Sequence, residues 1–395
     1  MIDYNKLLSK RVQNIKPSGI RKYFDIANEM EDCIVLGVGE PDFKTPWAIR
    51  EAGIKSLEKG RTWYSSNAGL AELRKEICNY TKRKLNVEYS PINETLVTVG
   101  GSEAIDLCIR AVVNDGDEVI IPEPCYVSYS PITDITGAVS VPIPLKAENN
   151  FKLTAKELID AITPKTKLLI LPFPCNPTGA VMEKEDLEQI ANVIRNTDIL
   201  ILTDEIYSEL TYTGKRHYSI IELDGMKERT ILINGFSKAF AMTGWRLGYA
   251  QGPKEIITMM TKIHQFALMC APSTSQYAAI VALRDCDDEI TNMRDEYNMR
   301  RKLLLQRLKD MNLECFDCQG AFYLFPCIKK TGLTSEEFCD RLLLEKKVAV
   351  IPGNAFGDSG EGYIRISYSY SIKHLQEGLN RIEQFLIQLE NEKNG

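Results

Sequence analysis

Short apolar runs alternate with helical patterns between residues 96 and 252, and this alternation limits how the chain can fold. Runs this short and this rich in β-branched residues predict buried strands. Strands that alternate with helices indicate an α/β protein with a mainly parallel central sheet and helices on both faces. The predicted strands are residues 97–99, 118–121, 167–171, 199–203 and 230–233.

A serine, a lysine and an arginine follow the last of these strands. Lys238 comes directly after Ser237 among small residues, and Arg246 follows eight residues later. A lysine in this place leaves room for a flat ring, and its amine can form a Schiff base with an aldehyde such as pyridoxal phosphate. The hydroxyl and the guanidinium could then hold a phosphate. Taken alone, the Ser-Lys pair is also explained by a solvated lysine in a polar loop.

Asp204 follows the predicted strand 199–203, so its carboxylate lies at the sheet edge where open α/β folds bind ligands. A carboxylate buried there needs a cation or donors, and a protonated pyridine nitrogen is such a partner. Tyr207, three residues on, would lie on the same side of a helical turn and could donate to a phenolate oxygen of the cofactor. The alternative is that Asp204 caps a helix over 205–209.

Two further motifs follow predicted strands. Residues 176–179 read Asn-Pro-Thr-Gly, which predicts a turn. Gly100, Gly101 and Ser102 join a strand to an apolar-periodic helix, an arrangement that binds anions through free backbone N–H groups. The glycines do not form a dinucleotide-binding fingerprint, and Lys238 is not preceded by the glycine pattern of a P-loop.

Together these motifs resemble the class I aminotransferases, which are pyridoxal-phosphate enzymes of fold type I. The resemblance covers nearly the whole chain, from residue 38 to residue 367, and is strongest to N-acetyl-diaminopimelate, aspartate and aromatic aminotransferases. It implies a large domain with a mainly parallel sheet and a smaller α+β domain. It depends on the order of Gly100-Gly101-Ser102-Glu103-Ala104, Asn176-Pro177-Thr178-Gly179, Asp204-Glu205-Ile206-Tyr207, Ser237-Lys238 with Arg246, and Arg365.

The resemblance implies a role for each matching residue. Lys238 would form the Schiff base and move the proton between the substrate α-carbon and C4′ of the cofactor. Asp204 would keep the pyridine nitrogen protonated, so that the ring accepts negative charge. Asn176 and Tyr207 would hydrogen-bond the phenolate oxygen. The other cofactor contacts would be Tyr126 stacked on the ring and Gly101, Ser102, Ser237 and Arg246 at the phosphate.

The resemblance also implies where substrate and a second subunit bind. Arg365 would clamp the substrate α-carboxylate, with Gly39 and Asn176 beside it. Tyr64 would reach the phosphate of the neighbouring subunit, which implies a homodimer with shared active sites. The chain departs from the family pattern at Tyr126, where several relatives carry tryptophan, and at Cys175, where asparagine or serine is usual.

The pattern of elements changes after a charged helix predicted near 290–311. Short strands near 320–325 and 363–368 flank a helix near 335–345, which indicates a smaller α+β unit. With the resemblance, this predicts a large cofactor-binding domain of residues 46–285 and a small domain of residues 1–45 and 286–395. Near the start, Thr45, Pro46 and Gly60 predict the cap, first turn and end of a helix over 47–59.

Composition excludes several classes of protein. A formal net charge of −6 favours neither nucleic acid nor an anionic membrane as a partner. The sequence contains no apolar run near the ~18 residues of a membrane span and no signal peptide at its start. Because the sequence shows no export signal, its eleven cysteines are expected to stay reduced, which predicts a cytoplasmic protein. Cys315 and Cys318 have metal-like spacing, but no second pair or nearby histidine completes a site, so we expect no metal.

We therefore expect an aminotransferase that moves an amino group from an L-amino acid to a 2-oxo acid, with 2-oxoglutarate as the expected acceptor, in two half-reactions. The alternatives are a C–S β-lyase of the same fold and a non-catalytic regulator. The donor would be an acyl-diaminopimelate, an aromatic amino acid or an acidic one. For a distal carboxylate, the sequence offers only Arg21 and Lys22 as basic candidates.

Overall fold

The computed structural model describes residues 2–17 and 19–394. Its strands, numbered along the chain, are β1 Ile34–Val35, β2 Thr95–Thr98, β3 Glu118–Glu123, β4 Val139–Pro144, β5 Thr166–Leu171, β6 Leu200–Asp204, β7 Thr230–Gly235, β8 Gly248–Gln251, β9 Tyr323–Leu324, β10 Val348–Ala349, β11 Ile351–Pro352 and β12 Ile364–Ser367.

The helices lie around these strands and connect them. They are α1 Tyr4–Leu7, α2 Lys10–Gln13, α3 Gly19–Glu29, α4 Trp47–Glu58, α5 Ala71–Leu85, α6 Gly101–Val112, α7 Tyr129–Thr136, α8 Ala155–Ala161, α9 Lys184–Ile194, α10 Lys254–Ala267, α11 Ser273–Asp285, α12 Asp287–Asp310, α13 Ser335–Lys346 and α14 Ile372–Asn394. Within residues 2–17 and 19–394, no helix combines the length and the apolar character that crossing a membrane requires.

The central sheet has the strand order β2-β8-β7-β6-β5-β3-β4. Neighbouring strands pair in parallel from β7 to β4, whereas β8 is antiparallel to both β7 and β2. The middle strands are buried on both faces, which is why they appear in the sequence as continuous apolar runs. The prediction of a mainly parallel sheet is confirmed, although β4 and β8 were not among the predicted strands.

A second, smaller group of strands lies outside the central sheet. Strands β11, β12 and β9 form an antiparallel sheet, and β1 pairs in parallel with β10. The β1–β10 pair joins Ile34 to Val348, so residues near the two ends of the sequence pack together. This arrangement agrees with a smaller α+β unit, while the boundaries at residues 45 and 285 stay a prediction.

The start of α4 differs from the sequence-based prediction. Pro46 and not Thr45 occupies the N-cap, and the cap makes no side-chain hydrogen bond. The Thr45 hydroxyl instead donates to the carbonyl of Ala241 at 2.6 Å and accepts from Nε1 of Trp245 at 3.1 Å. The predicted cap is therefore wrong, because a long-range contact takes the hydroxyl that a local cap would use.

Candidate active site

A cavity of about 370 Å³ opens at the carboxyl edge of the central sheet. The cavity is lined by the segments that follow five strands of the central sheet, namely β2, β3, β5, β6 and β7. One residue of β12 and the segment after β1 also line it. Tyr64 is 76% exposed and does not line this cavity. The other predicted site residues all do: Gly39, Gly101, Ser102, Tyr126, Asn176, Asp204, Tyr207, Ser237, Lys238, Arg246 and Arg365.

Lys238 extends into this cavity from the segment after β7. Its amine donates a hydrogen bond to the backbone carbonyl of Gly39. Burial, together with the positive charges of Arg365 and Arg246, lowers the pKa of Lys238 to about 8 against the opposing effects of Glu40 and Asp204. A lysine with a depressed pKa carries a neutral, nucleophilic amine at a pH where an ordinary lysine is charged.

Asp204 ends β6, and its side chain is 6% exposed. Oδ2 accepts a hydrogen bond from the Tyr129 hydroxyl at 2.7 Å, and Oδ1 accepts from the backbone N–H of Ile206 at 3.2 Å. Burial raises the pKa of Asp204, although these two donors act against the rise. Residues 206–209 form a turn, so the alternative that Asp204 caps a helix is wrong.

The turn that follows β6 also positions Tyr207. This side chain is 4% exposed, and its hydroxyl oxygen lies 2.9 Å from that of Tyr323. Burial raises the pKa of Tyr207 well above its ordinary value, so the phenol keeps its proton and can donate it in a hydrogen bond. The expectation of a helical turn here is wrong, but Tyr207 and Asp204 still line the same cavity.

One end of the cavity is built to receive an anion. Helix α6 begins at Gly101, where its first N–H groups have no partner within the helix. Arg246 lies against this terminus, since a Cβ on Gly100 would come within 2.8 Å of Nη2 of Arg246. Gly100 also has φ +81°, a left-handed conformation that favours glycine. The Ser102 hydroxyl, 3.2 Å from the Tyr126 hydroxyl, adds a donor at the same end.

Arg365 is 3% exposed and belongs to β12. Its Nη1 donates to Oδ1 of Asn176 at 2.7 Å, and its Nη2 donates to the carbonyl of Gly37 at 2.6 Å. These two bonds fix the plane of the guanidinium. The buried Nε has no hydrogen-bond partner among residues 2–17 and 19–394. A bound carboxylate would satisfy such a donor and would neutralise the buried charge.

The structure adds two tyrosines that the sequence-based prediction missed. Tyr129 donates to Asp204, and Tyr323 contacts Tyr207; both are buried and line the cavity. Tyr129 follows Tyr126 by three residues, and such spacing at a helix start was a usable signal. Tyr323 lies in a two-residue strand far along the chain, and no local pattern indicates its contact with Tyr207.

The structure describes the side chain of one of the two basic candidates for a distal carboxylate, Lys22, and this side chain does not line the cavity. Lys22 is exposed, and its amine pairs with Asp340 at 3.1 Å, so it is the wrong candidate. The side chain of Arg21 lies outside the described part of the chain. Among the described residues that line the cavity, the basic side chains are Lys238, Arg246 and Arg365.

The residues of the cavity fit pyridoxal phosphate as a cofactor. The amine of Lys238 suits an aldehyde, the buried carboxylate of Asp204 suits a protonated ring nitrogen, and the terminus of α6 with Arg246 suits a phosphate. Among the described residues, no cation pairs directly with the buried carboxylate of Asp204, and a protonated ring would supply one. No group of three or more potential metal ligands occurs in the described ranges, including the segment around Cys315 and Cys318.

Comparisons with known proteins agree with this chemistry. The family model of aminotransferase class I and II matches residues 31–382. An aspartate aminotransferase of Pyrococcus abyssi is 48% identical over 96% of this chain and 98% of its own length. A probable N-acetyl-LL-diaminopimelate aminotransferase of Bacillus subtilis is 42% identical over 96% of each chain. The crystal structure of an aromatic aminotransferase from Pyrococcus horikoshii has a TM-score of 0.90 at 44% identity, covering 94% of this chain and 99% of that one.

The depressed pKa of Lys238 predicts how its amine reacts with an acylating reagent in the cofactor-free protein. Labelling of Lys238, followed by peptide mass spectrometry, should rise with a midpoint near pH 8. Arg365→Gln should move this midpoint to higher pH, because it removes a positive charge that opposes protonation. Exposed lysines in the same digest control for the reagent. A wild-type midpoint near the ordinary lysine value of about 10.4 would contradict the prediction.

Proposed function

The chain belongs to the class I and II aminotransferases and is a transaminase; we propose that it uses pyridoxal phosphate to move an amino group from an L-amino acid to 2-oxoglutarate. The observation that supports this proposal most strongly is the convergence of Lys238, Asp204 and Arg365 on one cavity. These residues supply a nucleophilic amine, a buried carboxylate and a buried guanidinium. Lys238 follows β7, Asp204 ends β6 and Arg365 lies within β12.

Besides Lys238, residues of the cavity would hold the proposed cofactor at its ring nitrogen and at its phosphate. Bound pyridoxal phosphate supplies a carbonyl carbon that accepts the amino group and a ring that delocalises negative charge from the substrate α-carbon. Asp204 would hold a proton on the ring nitrogen, and Tyr129 fixes the carboxylate by donating to Oδ2. Arg246, Ser237, Ser102 and the N–H groups at Gly101 would bind the phosphate.

Lys238 would carry the proton during the reaction. Its amine lies 5.6 Å from the ring centroid of Tyr207 and donates to the carbonyl of Gly39, so these two contacts hold it in the wall of the cavity. A pKa near 8 allows the amine to accept a proton from the substrate α-carbon and to return it nearby, because general bases work best when their pKa is close to the working pH. The same residue can therefore act in both half-reactions.

Arg365 would bind the α-carboxylate that every amino acid and 2-oxo acid shares. Its planar guanidinium matches a carboxylate through two parallel hydrogen bonds, and burial strengthens that contact. Because Asn176 and Gly37 already orient the guanidinium, little ordering remains when the substrate binds. Because all of these substrates share the α-carboxylate, binding at Arg365 does not select among their side chains.

The donor is proposed in the order acyl-diaminopimelate, aromatic amino acid, acidic amino acid. Relatives of similar identity are named for each of these substrates or for close counterparts. The free state of all eleven cysteines supports the cytoplasm as the proposed location.

The experiment that tests the proposal is a panel of donors and acceptors with purified protein. We expect continued turnover only when an amino acid and a 2-oxo acid are both present, with 2-oxoglutarate among the best acceptors. Parallel double-reciprocal plots should show that the first product leaves before the second substrate binds. Release of pyruvate and a thiol from cystathionine without any 2-oxo acid would instead indicate a β-lyase.

A second prediction concerns the electrostatic role of Asp204. Asp204→Ala should lower kcat by about 10³-fold or more, because a preorganised charge that stabilises the transition state is lost. Cofactor binding should weaken much less, since the proposed phosphate contacts remain. Asp198→Ala is the matched control, because Asp198 is exposed and precedes the opposite end of β6. Wild-type turnover in Asp204→Ala would remove the residue from the mechanism.

We also propose that the active unit is a homodimer to which Tyr64 contributes across the interface. Tyr64, Trp63 and Phe266 are 76%, 61% and 80% exposed, respectively. Two hydrogen bonds bring their segments into one surface: Asn67 donates to the carbonyl of Met269 at 2.8 Å, and Ser273 donates to that of Trp63 at 2.6 Å. An exposed aromatic surface of this kind is typical of a protein–protein interface.

Mixing two inactive variants tests the shared site. At a cofactor concentration that saturates the wild type but not Tyr64→Ala, both variants should be inactive, because Tyr64→Ala has a lowered cofactor affinity and Lys238→Ala lacks the reactive amine. After the two are mixed and allowed to exchange subunits, activity should recover to about a quarter of the wild-type value, because half of the dimers are hybrids with one intact site. No recovery after demonstrated subunit exchange would contradict the proposed contribution of Tyr64.

A further inference from the structure

Tyr323 lies between two residues to which the proposed mechanism gives separate tasks. Its hydroxyl oxygen is 2.9 Å from that of Tyr207, which would donate to the cofactor. The face of its ring is 4.4 Å from the guanidinium carbon of Arg365, which would bind the substrate carboxylate. Tyr323 is fully buried and lines the cavity, so no solvent separates these contacts.

The surroundings hold Tyr323 in this position. Its ring packs 4.7 Å from the ring of Phe322 and 5.9 Å from that of Tyr207. A Cβ added to Gly39 would lie 2.7 Å from the Tyr323 hydroxyl oxygen, so this hydroxyl closes the wall beside Gly39. The phenol therefore has little freedom to turn away from Tyr207.

We propose that Tyr323 is a positioning residue that orients the hydroxyl of Tyr207 and links carboxylate binding at Arg365 to the cofactor. This inference depends on the proposed function, because it assigns Tyr207 a cofactor to contact. Tyr323 itself reaches the reacting groups only through Tyr207 and Arg365. Phenylalanine at this position would keep the ring against Arg365 but would lose the hydroxyl.

The link follows from the chemistry of the three groups. A hydroxyl that donates to Tyr207 leaves the proton of Tyr207 free for another acceptor and makes it a stronger donor, since hydrogen bonds in a chain polarise one another. A guanidinium over the ring of Tyr323 withdraws electron density and strengthens donation by its hydroxyl. When a carboxylate neutralises Arg365, this effect weakens, and Tyr207 donates less strongly to the cofactor.

Other charged and titratable groups face this pair, and the experiment has to account for them. Asp204 and Arg365 act on Tyr207, and Tyr126 acts on Tyr323. Arg365, Glu40, Arg246 and Asp204 act on Lys238. Tyr370 acts on Arg365 and is itself affected by Glu40. All of these groups stay in place in Tyr323→Phe, so a change in that variant reports on one hydroxyl.

The test is a pH titration of the visible absorbance of the cofactor bound to the full-length protein. Loss of the Tyr323 hydroxyl should weaken donation by Tyr207 and leave more electron density on the cofactor, so the protonated form should persist to higher pH. We expect the midpoint in Tyr323→Phe to rise by about 0.5 pH unit or more. The kcat should fall several-fold while KM changes less, because the ring still packs on Arg365.

Two control variants and one ligand titration separate this role from simple packing. Tyr368→Phe removes an equally buried hydroxyl, which donates to the carbonyl of Ala321 at 3.1 Å and does not line the cavity, so its midpoint should match wild type. In a Tyr207→Phe background, Tyr323→Phe should add no further shift, because the effect passes through Tyr207. Saturation with 3-phenylpropionate, a carboxylate without an amino or keto group, should move the midpoint less in Tyr323→Phe than in wild type.

The outcomes distinguish the inference from the function on which it depends. A wild-type midpoint in Tyr323→Phe, or a further shift of similar size in the Tyr207→Phe background, would overturn the role of Tyr323 alone. A matching shift in Tyr368→Phe would also overturn it, since packing would then be the cause. Absence of a protein-bound visible band in wild-type protein, after unbound pyridoxal phosphate has been removed, would overturn the proposed function and this inference with it.

Discussion

Asp204 pairs with Ile233 at the last rung of the parallel ladder between β6 and β7. This register places a carboxylate at the end of one strand beside the segment that carries Lys238 at the end of the next. Parallel strands point their carboxyl ends to the same edge, so residues far apart in sequence meet there without special folding of the loops. Arg365, which β12 supplies from the smaller antiparallel sheet, closes the cavity on the other side.

The cavity concentrates charges that burial makes unfavourable in the absence of a ligand. Burial raises the pKa of Asp204, lowers that of Lys238 and leaves Nε of Arg365 without a partner in the described part of the chain. Each of these features opposes folding of the empty protein to some extent. Each is also what an enzyme needs to bind a cofactor and a carboxylate tightly and to move protons near neutral pH. A chain of 395 residues buries a large apolar core, and the free energy gained from that burial offsets the cost of the buried charges.

The sequence was sufficient to predict the residues that lie directly after a strand. Lys238, Asp204 and Asn176 follow apolar runs that are easy to recognise, and the parallel order of those runs predicts their common edge. Contacts between distant segments were not predictable in this way. Tyr323 meets Tyr207 across 116 residues of sequence, and the Thr45 hydroxyl meets Ala241 across 196, so no local spacing could have indicated either contact.

The central claim is that the fold places the amine of Lys238 where pyridoxal phosphate binds. Treating the purified protein with pyridoxal phosphate and then borohydride, followed by peptide mapping, tests this claim directly. We expect the reduced cofactor to be attached to Lys238, and we expect Lys238→Ala to abolish this attachment. Attachment to a different lysine, with Lys238 unmodified, would contradict the proposed role of Lys238.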